Sequence, residues 1–184
     1  MKSYLKDLTV VAIGVLIALL LNSFKESYQA NQYHKTSLKT IESEISENLS
    51  DLNEVLDKQI GTLDTLKKYQ SKSIAIDQLF AKSSGLQAAT LRNVSLEFYS
   101  RNNVSNIDYE IMSNLIRMKS LSELITVKLN KLVDYLYPNI FEKSEESKLL
   151  TIMYLENLIE SETQLTQLYK SYLEEHKKVK SNME

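Results

Sequence analysis

The chain has no cysteine, no tryptophan, one proline (Pro138) and three glycines (Gly14, Gly61, Gly85) in 184 residues. Without cysteine there are no disulfides, no thiolate zinc or iron–sulfur sites and no cysteine nucleophile. So few turn-formers exclude a sandwich or barrel of many short strands. Charge of one sign is lacking too. The 22 basic and 24 acidic residues give a net charge of −2, so no global field draws the protein to nucleic acid. What remains is rich in Leu, Lys, Glu, Ser, Ile and Asn and reads as long helices with few connections. The expected fold class is all-α.

One long hydrophobic run is present. Residues 8–24 carry no charge, and residues 8–21 (LTVVAIGVLIALLL) are apolar but for Thr9 and Gly14. Seventeen residues of helix span roughly 25 Å, against ~30 Å of bilayer hydrocarbon. Tyr4, Phe24 and Tyr28 extend the run to interfacial depth, and Lys2, Lys6 and Lys25 can snorkel. A cleaved signal peptide needs small residues at its cleavage site, and LLNSFKESYQA offers no good pair. The run is expected to be an uncleaved, single-pass membrane anchor. Lys2 and Lys6 before it nearly balance Lys25, Lys35 and Lys39 after it, which leaves open the side on which the rest lies.

At spacings of three and four, one stripe of the run reads Asp7, Val11, Gly14, Ala18, Asn22, Lys25. The opposite side holds Ile13, Leu16, Ile17, Leu20 and Phe24. Gly14 and Ala18 form a small-xxx-small pair that lets helix backbones approach closely in lipid. Asn22 can bond across helices or face water. The stripe is either the packing seam of a homo-oligomer or, in such an oligomer, the lining of a pore with Asp7 at one mouth and Asn22 and Lys25 at the other.

No proline, glycine or low-complexity stretch separates residues 22 and 60, so the membrane helix is expected to continue into a long helix reaching Tyr69. The residues Leu38, Ile41, Ile45, Leu49, Leu52, Leu56, Ile60 and Leu63 suggest an eleven-residue repeat. The expected organisation is a tail and membrane helix over 1–25, an amphipathic stalk helix over 26–72 and the remainder of a soluble helical bundle over 73–184. Within that remainder, a short helix over 74–82 ends at Ser83-Ser84-Gly85, and a second over 86–99 is weakly patterned. After the polar loop 100–106, Ser105 or Asn106 caps a helix with Asp108 and Glu110 in its first turn. That helix runs from Ile107 through Leu115, Met118, Leu121, Leu124, Leu132 and Leu136 and stops before Pro138. The last helix starts near 139–142, carries Leu149, Ile152, Leu155, Ile159, Leu165, Leu168, Tyr172 and Val179, and ends in the cationic 176–180.

Catalytic patterns are missing. His34 and His176 are far apart, and no HExxH, phosphate loop or GxSxG occurs. Glu145–Glu146 and the Glu160/Glu162 pair read as solvated faces. Tyr69, Tyr109, Tyr135, Tyr154, Tyr169 and Tyr172 read as core edges. The expectation is a non-enzyme with no cofactor or metal. One cluster stands out: the only three arginines, Arg92, Arg101 and Arg117, flank the polar loop together with Tyr99, Asn102, Asn103 and Asn106. Arginine forks beside an aromatic suit a nucleotide or oligonucleotide. Arginines paired with Glu97, Asp108 or Glu110 are the structural alternative.

The run VVAIGVLIALLLNSFKE resembles the opening of a family of small, uncharacterised bacterial (Bacteroidetes-type) membrane proteins with a "GILIALxINNWNE" anchor and a helical domain. Gly14, Ile17, Ala18, Leu19, Asn22 and Glu26 match it. Ser23 and Phe24 replace its Asn and Trp, and Leu20–Leu21 its Gln–Ile. Leu38, Ile41, Glu44, Ile45 and Asn48 are similar to that family's next helix, and Tyr109, Glu110, Leu121, Ile125, Leu129 and Leu136 to a later block. The resemblance implies an inner-membrane-anchored helical protein and carries no activity. In plan, the chain is also similar to membrane effectors of bacterial anti-phage systems, which oligomerise into channels under a nucleotide signal. Two functions are therefore expected to compete. One is a homo-oligomeric channel or permeabilising effector gated by its helical domain. The other is an anchored scaffold that holds an unknown protein partner.

Overall fold

The computed structural model describes residues 2–102 and 109–181. The described residues form five helices and no strand: α1 (Lys2–Lys68), α2 (Ile76–Lys82), α3 (Val94–Asn102), α4 (Tyr109–Asn139) and α5 (Glu145–Ser181). The all-α expectation holds, with three long helices and two short ones. The expected caps Ser105 and Asn106, and Ile107 and Asp108 beside them, lie outside the described residues. The chain divides into two compact units, Met1–Ile41 and Glu42–Glu184. The boundary falls inside α1, whose 67 residues contain no proline.

In the first unit every described side chain from residue 10 to residue 33 is exposed. Side-chain bonds there run locally along the helix. Asn22 Nδ2 donates to Glu26 Oε1 (2.7 Å), Gln32 Nε2 to Tyr28 Oη (3.2 Å) and Thr40 Oγ1 to the Thr36 carbonyl (2.9 Å).

The second unit has its own core, built from α1 beyond residue 42, α4 and α5. α1 buries Ile45, Asn48, Leu52, Val55, Gln59, Thr62 and Leu66. α4 buries Leu115, Met118, Ser122, Ile125, Leu132 and Leu136, with half-buried Leu129 completing the series. α5 buries Lys148, Thr151, Leu155, Leu158, Glu162, Leu165, Tyr169 and Tyr172. Each series alternates steps of three and four, which is a heptad repeat suited to left-handed packing of long helices. Lys67 Nζ meets Glu156 Oε1 at 2.6 Å while Asn48 Nδ2 meets Tyr169 Oη at 3.3 Å, so α1 and α5 run antiparallel. Lys128 Nζ reaches the Asn157 carbonyl (2.8 Å) and Tyr135 Oη the Ser147 carbonyl (3.3 Å), so α4 and α5 are antiparallel too.

The seam refines the eleven-residue reading. Of its eight residues, Ile41, Ile45, Leu52, Leu56 and Leu63 are buried and Leu38 and Leu49 half-buried, but Ile60 is 45% exposed, and Val55 and Leu66, outside that reading, are buried. Three of the seven seam positions on α1 are polar, and these hid the heptad from a search for apolar periodicity. The same polarity masks α5. There Leu149 is exposed, Lys148 and Glu162 are buried, and Glu162 is not part of a solvated face. On α4, Leu124 is exposed and its neighbours Ser122 and Ile125 take the seam. Tyr169 and Tyr172 are core residues rather than core edges, whereas Tyr109 is exposed.

Three boundaries move. Residues 86–93 are not helical, and α3 begins only at Val94. α4 passes Pro138, which lies in its last turn, and ends one residue later. Proline has no N–H to give to the carbonyl four residues earlier and its ring presses on that carbonyl, which fits a helix that ends one residue later. α5 begins at Glu145 rather than near 139–142. Ser144 caps it, its Oγ accepting the Ser147 N–H at 3.1 Å, and Glu145 and Glu146 fill the first turn. The displaced turn has another task. The Glu142 and Ile140 carbonyls accept the Ile76 and Asp77 N–H groups at 3.1 and 2.8 Å. These carbonyls cap α2, whose N-cap residue Ala75 has no side-chain donor or acceptor.

Lys148, with no exposed surface, ties the far end of α1. Its Nζ donates to the Gln70 carbonyl at 3.0 Å and to the Lys72 carbonyl, where a cation suits the carbonyl end of a helix. Gly85 takes φ +72° after α2, the one left-handed residue in the described chain.

Two substitutions separate the two periodicities. Leu158→Ala, at a fully buried position, is expected to lower the unfolding free energy by about 2–5 kcal/mol, and Ile60→Ala by less than about 1. Denaturant titration of the full-length protein in detergent, followed by helical circular dichroism, measures both. A costly Ile60→Ala would restore the eleven-residue seam.

Candidate functional site

Two regions were singled out by the sequence, one in each unit. In the first unit, Asp7, Val11, Gly14, Ala18, Asn22 and Lys25 all lie on α1, in one stripe by their spacing. The side chain of Asp7 lies outside the described part. Val11 is 63% exposed, and a Cβ built on Gly14 meets nothing within 4 Å. Asn22, expected to bond across helices or to face water, is engaged within its own helix by Glu26, one turn on. The opposite stripe is no better covered: Ile13, Leu16, Ile17, Leu20 and Phe24 are each more than half exposed. α1 is the one helix among the described residues that is long and apolar enough to cross a membrane, and none of its apolar window is buried.

In the second unit, the described members of the arginine cluster lie in different surroundings. Arg92 is exposed and its Nη1 pairs with Glu47 Oε2 at 3.1 Å. Beside it, Glu47, Asn48, Asp51, Thr90 and Arg92 line a polar cleft of about 260 Å³. Two carboxylates in that cleft oppose an anion. Tyr99 is fully buried and belongs to the core beside Tyr172, so it offers no stacking face. Arg117 is exposed on α4. Arg101 and Asn102 are in α3, with side chains outside the described part.

What the structure does assemble around Arg92 is a strap. Residues 83–93 run along α1 in the opposite direction, and side chains of α1 supply the hydrogen bonds that a helix would have supplied itself. Thr62 Oγ1 donates to the Gly85 carbonyl (2.9 Å) and Gln59 Nε2 to the Gln87 carbonyl (2.9 Å). Asp51 Oδ2 accepts the Thr90 N–H (2.6 Å). Asn48 grips both sides of Arg92: Oδ1 accepts its N–H at 3.0 Å and Nδ2 donates to its carbonyl at 2.7 Å. Glu44 Oε2 accepts the Ser95 N–H (3.0 Å) at the N-terminus of α3, where negative charge is favoured. The lengths agree. From residue 44 to 62 a helix rises ~27 Å, within the ~33 Å reach of the ten-residue step from 85 to 95. At its end the strap also meets α4, through Asn93 Nδ2 to Ser122 Oγ (2.8 Å), and Lys119 pairs with Glu97 at 3.3 Å.

Asn48 is the centre of this arrangement and is 2% exposed. Its Nδ2 also reaches Tyr169 Oη. Burial pushes the Tyr169 hydroxyl up to about 12, opposed by the Asn48 bond and assisted by the Glu44 charge. Sequence reasoning missed this role, although Glu44 and Asn48 are the polar letters of the resemblance quoted above. A buried polar residue inside a heptad is the signal that points to it. Comparison with protein-family models, curated proteins and solved structures finds no match.

Asn48→Leu keeps the bulk and removes three hydrogen bonds. It leaves the Arg92 peptide and the Tyr169 hydroxyl short of partners. The expected cost is about 2–4 kcal/mol, with faster amide exchange in residues 85–95 than in α5. Arg92→Ala removes only an exposed ion pair and is expected to cost less than about 1 kcal/mol.

Proposed function

We propose that the protein is a single-pass inner-membrane protein that self-associates through the Asp7–Lys25 stripe and acts as a channel or membrane-permeabilising effector of the anti-phage type. The observation that carries this reading is the uncovered apolar stretch of α1. Val10, Val11, Ile13, Val15, Leu16, Ile17, Leu19, Leu20 and Leu21 are all 51–64% exposed, on every side of the helix. A soluble protein does not leave such a run in water. Lipid covers one side, and a second copy covers the side made thin by Gly14 and Ala18. Asn22 and Glu26, paired at the end of the run, are the polar groups expected at the water boundary. The helical second unit carries the regulatory part, and α1 belongs to both units. An anionic ligand, nucleotide or oligonucleotide, remains a proposal that rests on Arg101 and Arg117, because Tyr99 is buried and Arg92 is paired. The protein is proposed to have no enzymatic activity.

Full-length protein in liposomes is expected to release a small dye or carry single-channel current, and its expression to be toxic. Gly14→Leu and Asn22→Leu are expected to abolish both, with membrane insertion retained. Sealed liposomes containing the correctly inserted oligomer would contradict the channel.

The second reading is an anchored scaffold. An apolar cleft of about 350 Å³, lined by Phe80, Leu86, Val133, Leu136, Tyr137 and Ile140, favours it as a place where a partner could seat. Tyr137 and nearby Phe141 are 80% and 76% exposed. A scaffold tolerates replacement of residues 1–25 by an unrelated transmembrane helix. A channel loses its conductance and toxicity in that swap.

A further inference from the structure

The core of the second unit holds a carboxyl group that its surroundings do not compensate. Glu162 is 1% exposed, on the seam where α5 meets α1. Its Oε1 accepts the Gln59 Nε2 at 3.3 Å, while its Oε2 is buried with no hydrogen-bond partner among the described residues. The Gln87 carbonyl fixes the direction of the Gln59 amide, because Nε2 donates to that carbonyl as well. Gln59 therefore cannot turn its own buried, unpartnered Oε1 toward the carboxyl without losing the strap. One turn further along α5 lies Thr166, 5% exposed, whose Oγ1 is also buried and unpartnered. Six other helical threonines, at 40, 62, 65, 126, 151 and 163, bond back to the carbonyl four residues earlier, and Thr166 does not.

Among the described residues no cation answers the carboxyl. On α4, Lys128 is committed to the Asn157 carbonyl and Ser161 Oγ (2.7 Å). On α1, Lys58 pairs with Glu54, and Lys67 with Glu156 of α5. The strap carries one charged residue, Arg92, bound to Glu47, and Glu97 of α3 pairs with Lys119. Tyr169, one heptad on along α5, is bonded to Asn48. An ionised Glu162 would thus be a buried charge with a single neutral donor, an arrangement that is costly in a packed interior.

We infer that Glu162 is a proton-binding site: the closed α1–α5 seam holds it as the neutral acid with the proton on Oε2, and its ionisation loosens that seam and the strap fastened through Gln59. Burial raises the group from 4.5 to about 7, and the Gln59 bond only partly opposes this. Below about 4.5 the carboxyl is protonated both folded and unfolded. Between about 4.5 and 7 the folded chain alone keeps the proton, so stability falls as pH rises through that window and levels off above it.

The test is equilibrium unfolding of the full-length protein in detergent micelles from about pH 5 to about pH 8.5, against Glu162→Gln. The wild-type folding constant is expected to fall by on the order of a hundredfold relative to the variant across this range. The variant differs from the wild type at this one carboxyl, so the difference between the two profiles isolates it. Parallel pH profiles would overturn the inference. Infrared spectroscopy of the wild type decides independently of whether the variant folds. A buried protonated-carboxyl stretch that persists to about pH 7 supports the site, and one that is lost near pH 4.5 overturns it.

Discussion

An apolar helix surface has to be covered, and in this protein the first unit leaves its own uncovered. Nine large aliphatic side chains between residues 10 and 21 stand more than half exposed around the whole circumference of α1. Each such side chain gains roughly 1.5–3 kcal/mol when it is fully buried, so the run as a whole favours transfer into an apolar phase by on the order of 10 kcal/mol. The second unit closes its own core with α4 and α5. The rest of the reading depends on this difference. One stretch of α1 is left uncovered by its own chain, and the next is covered by it.

In the second unit, the seam positions of α1 serve two purposes. Leu52, Val55 and Leu66 fill the core, while Asn48, Gln59 and Thr62 hold a non-helical strap by its backbone. A heptad made wholly of leucine would pack against α4 and α5 more tightly and would have nothing to offer residues 85–95. The polar positions thus select one arrangement of the chain rather than the most apolar one. Lys148 does the same at the end of α1, where it collects the Gln70 and Lys72 carbonyls. Glu162 differs, because the second oxygen of its carboxyl has no hydrogen-bond partner among the described residues.

The parts that sequence could deliver follow from this. The three long helices, the short one at 76–82 and the apolar run were legible, because propensity, breakers and hydropathy act locally. The heptad was not, because its period is carried as much by Asn48, Thr151 and Glu162 as by the leucines. Residues 86–93 read as a weak helix because Leu86 and Leu91 are apolar, yet their backbone is bonded by side chains some 25–45 positions earlier. No local pattern encodes that pairing. The arginine cluster looked like a site because its members are close in sequence. The fold pairs Arg92 with Glu47 and buries Tyr99, so these two do not serve a shared pocket. A Cβ added to Gly14 would meet nothing within 4 Å, and the described side chains around it are exposed.

Self-association of the anchored chain is the claim on which the proposed activity stands, because one helix cannot enclose a pore. The direct measurement is the mass of the full-length protein in detergent micelles, by light scattering or native mass spectrometry. The account predicts one discrete oligomer, a whole-number multiple of 21.2 kDa, that reverts to the single chain in Gly14→Leu. A wild-type protein that stays monomeric across detergents would contradict it.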